Sequence, residues 1–240
     1  MKSKLVVGMV LLAGPLLAAD SNPKDDVRNA AAALGAAPNY SWHTAIETPG
    51  GGGRFGGGPT DGKTEKGGYT MLTMTRGDNT IQAVLEGTNG VINTPDNGWQ
   101  TLAEATQDNG GGRNPGMFLA RMLQNYKTPD MQAADLVAAT QELKQDTNGI
   151  SGDLTEEGAK ALLTFRPRGG NGGGPEVTNP KASVTFWITD GKLAKYQFHV
   201  TGTVSFNGND RDVDRTTTVE IKDVGTTKIE VPDDAKAKLK

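Results

Sequence analysis

The chain has 240 residues, 25 basic against 28 acidic side chains for a formal net charge of −3, and a mean hydropathy of −0.48. That balance excludes the strongly basic surface by which nucleic acid or an anionic membrane face is held, so no nucleic-acid partner is expected. The absence of cysteine excludes disulfides, thiolate metal sites, cysteine nucleophiles and a lipidated N-terminal cysteine, leaving burial and hydrogen bonding to stabilise the fold.

Lys2 and Lys4 precede an apolar stretch from Leu5 to Leu12, a Gly14-Pro15 break and small residues at Ala18 and Ala19. This is the layout of a bacterial secretory signal peptide, and it predicts cleavage near Ala19 and a periplasmic or secreted product. The stretch is too short to cross a bilayer as a retained helix, and no later segment approaches the roughly 20 apolar residues needed, so the mature chain is expected to lack a transmembrane segment. Residues 20–240 read as a single domain with three glycine-rich insertions near 49–68, 109–116 and 166–176, where most of the clustering among 33 glycines falls. Two readings of the insertions stay open. Their arginines, Arg54, Arg113, Arg166 and Arg168, could gather at one rim to touch an anionic head group, or the segments are expanded loops with arginine for solubility.

Asn22 and Pro23 start a helix with Val27, Ala30, Ala31 and Leu34 on one stripe, and a strand follows with Tyr40, Trp42 and Ile46 on one side. After the first insertion, Gly77-Asp78 turns a hairpin whose matched face holds Leu72, Met74, Ile81, Ala83 and Leu85, and another strand lies near Val91 to Thr94. Three helices are predicted at about 116–126, 129–138 and 155–164. Glu156 and Glu157 behind Thr155 read as helix-start residues that complement the dipole.

From Ala194 to Phe206 the even positions are apolar and the odd ones polar, with Gly202 a plausible bend. To match Ala182, Val184, Phe186 and Ile188 with Ala194, Tyr196 and Phe198, the preceding hairpin needs an odd loop, read as Thr189-Asp190-Gly191. A turn through Asn207–Asp210 would set Phe198 against Ile221, and Asp223-Val224-Gly225 would set Val219 against Ile229. Four consecutive antiparallel strands then share an apolar face before Pro232 opens a terminal helix to about Leu239.

The amino-terminal helix with the strand around Tyr40 to Glu47, the strand-turn-strand FWITDGKLAKYQFHV, and the close VEIKDVGTTKIEVPDDAKAKL together resemble the LolA and LppX superfamily of periplasmic lipoprotein carriers and lipid-binding half-barrel proteins. The resemblance implies a curved antiparallel half-barrel closed by helices, with acyl chains held on the concave face. Many LppX-type proteins are lipid-anchored, and this chain lacks the cysteine for it. The expected fold is therefore α+β, a curved antiparallel sheet of about seven to ten strands with three or more helices on its concave side.

No catalytic constellation stands out, and a non-enzymatic protein without cofactor or metal is expected. His43 and His199 have no second ligand at metal spacing. Asp210, Asp212 and Asp214 alternate, but Arg215 stands where a calcium loop needs glycine and Ile221 where it needs glutamate, so neutralisation by Arg211, Arg215 or solvent is the reading preferred. Ser151 has no convincing base. Trp42, Leu72, Met74, Trp99, Phe118, Met122, Tyr196 and Phe198 are the candidates for lining an apolar cavity, against the alternative that they fill a core. The functional expectation is an exported carrier of a lipid or other hydrophobic small molecule. The alternative is a structural or protein-interaction module of the cell envelope with a filled core, its partner an envelope protein.

Overall fold

A computed structural model describes residues 22–49, 58–77, 79–107, 115–164, 175–206 and 208–239. The stretch read as a signal peptide and the arginines of the three glycine-rich segments lie outside the described residues.

Helix α1 (Pro23–Ala36) begins where its cap dictates. The Asn22 side chain accepts from the Lys24 N–H, Pro23 occupies the first turn, and Val27, Ala30, Ala31 and Leu34 are buried. Strands β1 (Asn39–Glu47), β2 (Thr60–Glu65), β3 (Tyr69–Arg76), β4 (Asn79–Glu86), β5 (Asn89–Thr94) and β6 (Gly98–Thr101) follow. Helices α2 (Leu102–Thr106), α3 (Pro115–Leu123) and α4 (Pro129–Ala139) lead to β7 (Lys144–Asp146) and β8 (Gly149–Asp153). After α5 (Glu156–Leu163) come the long strands β9 (Glu176–Thr189), β10 (Lys192–Phe206) and β11 (Asn209–Lys222), and last α6 (Asp233–Leu239). At the start of α5 the Thr155 hydroxyl accepts from the Gly158 N–H, so Glu156 and Glu157 do occupy a capped first turn.

All eleven strands form one antiparallel sheet in the order β6-β5-β4-β3-β2-β1-β11-β10-β9-β8-β7. Eleven exceeds the seven to ten expected, because β2 falls inside the stretch 49–68 read as an insertion and β6, β7 and β8 are too short to show a period. The edge strands β6 and β7 do not pair, so the sheet stays open. Ile92 on β5 and Ile150 on β8 nonetheless belong to one buried cluster. Eight strand spacings separate them, about 38 Å on a flat sheet. Curling the sheet around a single layer of helices accounts for a common core, and the result is an α+β half-barrel.

The apolar faces fall where the alternation places them, and the turns differ. In the β9–β10 hairpin Thr189 pairs with Lys192 across a two-residue Asp190-Gly191 turn, with φ of 51° and 71°. The mirror-image turn geometry suits the strand twist. The parity that an odd loop would have supplied comes from a bulge between Leu193 and Lys195, which restores Phe186 opposite Tyr196 and Val184 opposite Phe198. A second bulge sets Asn179 and Pro180 against Gly202, the predicted bend. The β10–β11 hairpin closes tightly on the Phe206–Asn209 pair, so Phe198 faces Thr217 and Tyr196 faces Val219, rather than Phe198 facing Ile221.

The expected last strand is absent. Residues after Lys222 leave the sheet: the Gly225 N–H donates to the Asn39 carbonyl and the Thr227 N–H to the Asn39 side chain. β1 instead takes the place beside β11, pairing Trp42 with Ile221 and Thr44 with Val219. The departing segment reaches the opposite face, where Val231 and Ala235 bury against Val84 and Val91. Helices α1 to α5 contribute to the concave core; α6 covers the other side. No helix among the described residues is long and apolar enough to cross a membrane.

Candidate functional site

The concave face is built from cross-strand rows. Ile221, Trp42, Gly62, Leu72, Ala83 and Ile92 stand in register across β11, β1, β2, β3, β4 and β5. The small residues make room for the large ones: a Cβ on Gly62 would overlap the Trp42 ring at Cζ2 and Cε2, so the indole lies directly over the β2 backbone.

Over this floor sits a cluster of hydroxyls in an otherwise apolar interior. Tyr40 donates to Asp130 Oδ1 at 2.6 Å, and the Thr128 hydroxyl donates to the same oxygen at 2.6 Å. Tyr196 donates to Gln132 Oε1 at 2.7 Å. The Trp42 indole N–H is hydrogen-bonded to the Tyr126 hydroxyl. Asp130 and Gln132 belong to the first turn of α4, where a carboxylate also meets the positive end of the helix dipole. Thr128 stands at the cap position of α4 yet makes no cap bond, its hydroxyl being committed to Asp130. Each tyrosine thus presents its ring to the sheet-side core and fastens its tip to a polar partner.

Burial disfavours the phenolates and pushes all three phenols up. For Tyr40 the Asp130 carboxylate adds to the effect; for Tyr196 Tyr126 does. The hydroxyls therefore remain neutral donors at physiological pH. α4 is pinned to α1 at both ends: Lys24 Nζ donates to the Thr140 carbonyl at 2.8 Å, and Gly35 leaves the space that Asp130 occupies.

Of the eight residues expected to line a cavity, Trp42, Leu72, Met74, Tyr196 and Phe198 are core members of this cluster, each at most 5 % exposed, and Met122 packs against them. Trp99 is apart. It pairs with Asn93 on β5 and packs with Val84, Val91 and α6 on the opposite face, because β6 places it one residue out of phase with Gln100 and Ile92. Phe118 lies in α3, and its side chain lies outside the described residues.

Both histidines lie on the polar face, each paired with a carboxylate on the next strand: His43 Nδ1 with Asp61 Oδ1 at 2.7 Å, and His199 Nε2 with Asp214 Oδ1 at 2.8 Å. Among the described residues no group of three or more histidine, aspartate or glutamate side chains is placed to hold a metal. Along β11, two of the alternating aspartates have partners on the next strand. Asp214 takes His199 and Asp212 accepts from the Thr203 hydroxyl, while Arg215 turns to the concave side and donates through Nη2 to the Leu162 carbonyl at 3.2 Å.

The hydroxyl cluster and the inward placement of Arg215 are the features that the sequence left unannounced. Arg215 shares parity with Val213, Val219 and Ile221, which was the available signal. Tyr126 and Asp130 are brought to β1 by tertiary packing alone, and no local spacing announces it.

No family model matches the chain, and no curated protein matches it. Among solved structures, the chain is similar to LprF from Mycobacterium bovis, with 9% identity, coverage of 89% of this chain and 97% of that one, and a TM-score of 0.41. It is also similar to the LolA superfamily protein NE2245 from Nitrosomonas europaea, with 10% identity, coverage of 89% and 96%, and a TM-score of 0.31. The half-barrel assignment rests on the chain's own strand order and core.

Proposed function

We propose that this chain is an exported protein that takes up a lipid or another apolar ligand between its sheet and its helices. The observation carrying this reading is the seam itself. An apolar concave floor runs across the curled sheet and is covered by separate short helices, and contacts at that seam include directional hydrogen bonds from Tyr40, Tyr196 and Trp42. Such bonds contribute roughly 1 kcal/mol net between neutral groups and about 1.5–3 kcal/mol to a carboxylate such as Asp130, and can be exchanged for bonds to a ligand or water, so α4, which holds Asp130 and Gln132, is a cover that can part from the floor. Trp42, Leu72, Met74, Met122, Tyr196 and Phe198 would then line the opened space.

The test is uptake of a fluorescent long-chain fatty acid by the purified protein. Saturable binding, lost on competition with an unlabelled apolar chain, supports the reading. Probe fluorescence that rises linearly without saturation overturns it.

A second reading is favoured by how closely the concave residues fill their space. A structural or interaction module of the cell envelope needs no cavity, and its helices would stay shut. In-cell cross-linking that captures one envelope protein, together with absent probe uptake, would support that reading.

A further inference from the structure

Arg215 lies on β11 on the concave side, opposite Val200 and in phase with Val213. Its environment is unusual for a guanidinium. Nη2 reaches the Leu162 carbonyl at 3.2 Å, while Nε is buried with no hydrogen-bond partner among the described residues. No carboxylate among the described residues forms an ion pair with it: the sequence neighbours Asp212 and Asp214 point to the other face and are engaged by Thr203 and His199. Burial alone holds the guanidinium below its ordinary pKa, with no acidic neighbour pulling the other way. A half-buried cation without a counter-charge carries a desolvation cost, and a buried donor without an acceptor adds to it.

Arg215 stands at the end of an apolar strip. Leu163 of α5 reaches so close to Gly202 that a Cβ there would lie 2.7 Å from Leu163 Cδ1. Val204 pairs with Val177 on one side and Arg211 on the other, so Arg211 stands on the same face as Arg215. The β1–β11 pairing ends at Glu47 and Thr216, one residue short of Arg215. Among the described residues the β11 edge from Asn209 to Arg215 is therefore not covered by β1.

We infer that Arg215, flanked by Arg211, anchors the anionic head of an amphiphile, a carboxylate or a phosphate monoester, whose apolar tail runs along Leu162, Leu163, Val200 and Val213 into the concave core. This rests on the ligand-carrying reading above and specifies its substrate class. The planar guanidinium offers Nε and an Nη together as a fork for two oxygens, the pairing that the unpartnered Nε lacks. From Arg215 to Ile221, beside Trp42, β11 spans about 20 Å, a run suited to an extended acyl chain.

The test measures displacement of a fluorescent fatty acid from the full chain by dodecanoate, dodecyl phosphate and dodecanol, which share a tail and differ in head. One or both anions should compete about ten-fold or more better than dodecanol, and which of them does so identifies the head group. Arg215→Met should bring the anions down to the alcohol while leaving dodecanol unchanged, and Arg215→Lys should keep part of the preference. Equal competition by all three in the unaltered protein overturns the anchor and leaves the carrier reading standing, a result independent of whether Arg215→Met folds. Retained anion preference in a folded Arg215→Met variant overturns it as well. If the probe never binds saturably, both fall.

Discussion

Gly62 and Trp42 show how a single missing side chain shapes the concave floor. Because a Cβ on Gly62 would overlap the indole, Gly62→Ala must tilt Trp42 and disturb its bond to Tyr126. We expect a loss of about 1–3 kcal/mol, in the range of overpacking, read as a lowered midpoint in urea denaturation and a shifted tryptophan emission. The tyrosines give a prediction in pH. Folding raises the phenols of Tyr40, Tyr126 and Tyr196 above the unfolded value of about 10, so their contribution is complete below that value and is lost as the pH rises towards the folded values. Stability should therefore fall between about pH 9 and about pH 12, with tyrosine ionisation at 295 nm tracking unfolding. Ionisation of all the tyrosines in the folded protein would contradict their burial.

Regular elements with a clean period were legible in the sequence, and junctions were not. α1, with its cap and its four buried residues, emerges from the residues alone, as does the Leu72–Ala83 and Met74–Ile81 face of the β3–β4 hairpin. The β9–β10 pairing shows the limit. Burial fixes which faces meet, but parity can be supplied by the turn or by a bulge, and periodicity does not distinguish them. The final segment failed for a different reason: Ile229 and Val231 alternate like a strand, yet an uncovered apolar patch at Val84 and Val91 claims them. These distinctions can be measured. Deleting Ala194 removes the bulge and leaves every other pair intact, so the variant should fold with its melting temperature within about 4 °C. Deleting Gln197 puts Tyr196 and Phe198 on opposite faces and should abolish the cooperative transition. Equal effects of the two deletions would show that the register is not set by this face.

At the scale of the whole molecule, an open sheet has two edges and two faces to manage. The edges are short, β6 with four residues and β7 with three, which limits strand-to-strand association. One face is divided between polar side chains and the patch under α6; the other carries the large core under α1 to α5. A sheet of this size could be closed over a solid core by longer helices. On our proposal α4, fastened through the hydroxyls of Tyr40 and Tyr196, is a cover that lifts to admit a ligand on the concave side. The candidate site was accordingly half legible: alternation located Trp42, Leu72, Met74, Tyr196 and Phe198 on one floor, whereas the hydrogen bonds that fasten the cover join residues up to 90 positions apart.

Native mass spectrometry of the protein purified gently from the cells that produce it tests the central claim most directly. A population carrying a discrete added mass, which dissociates as a lipid or other apolar molecule and vanishes after delipidation, is the predicted result. A single bare mass under conditions that preserve known lipid complexes would contradict it.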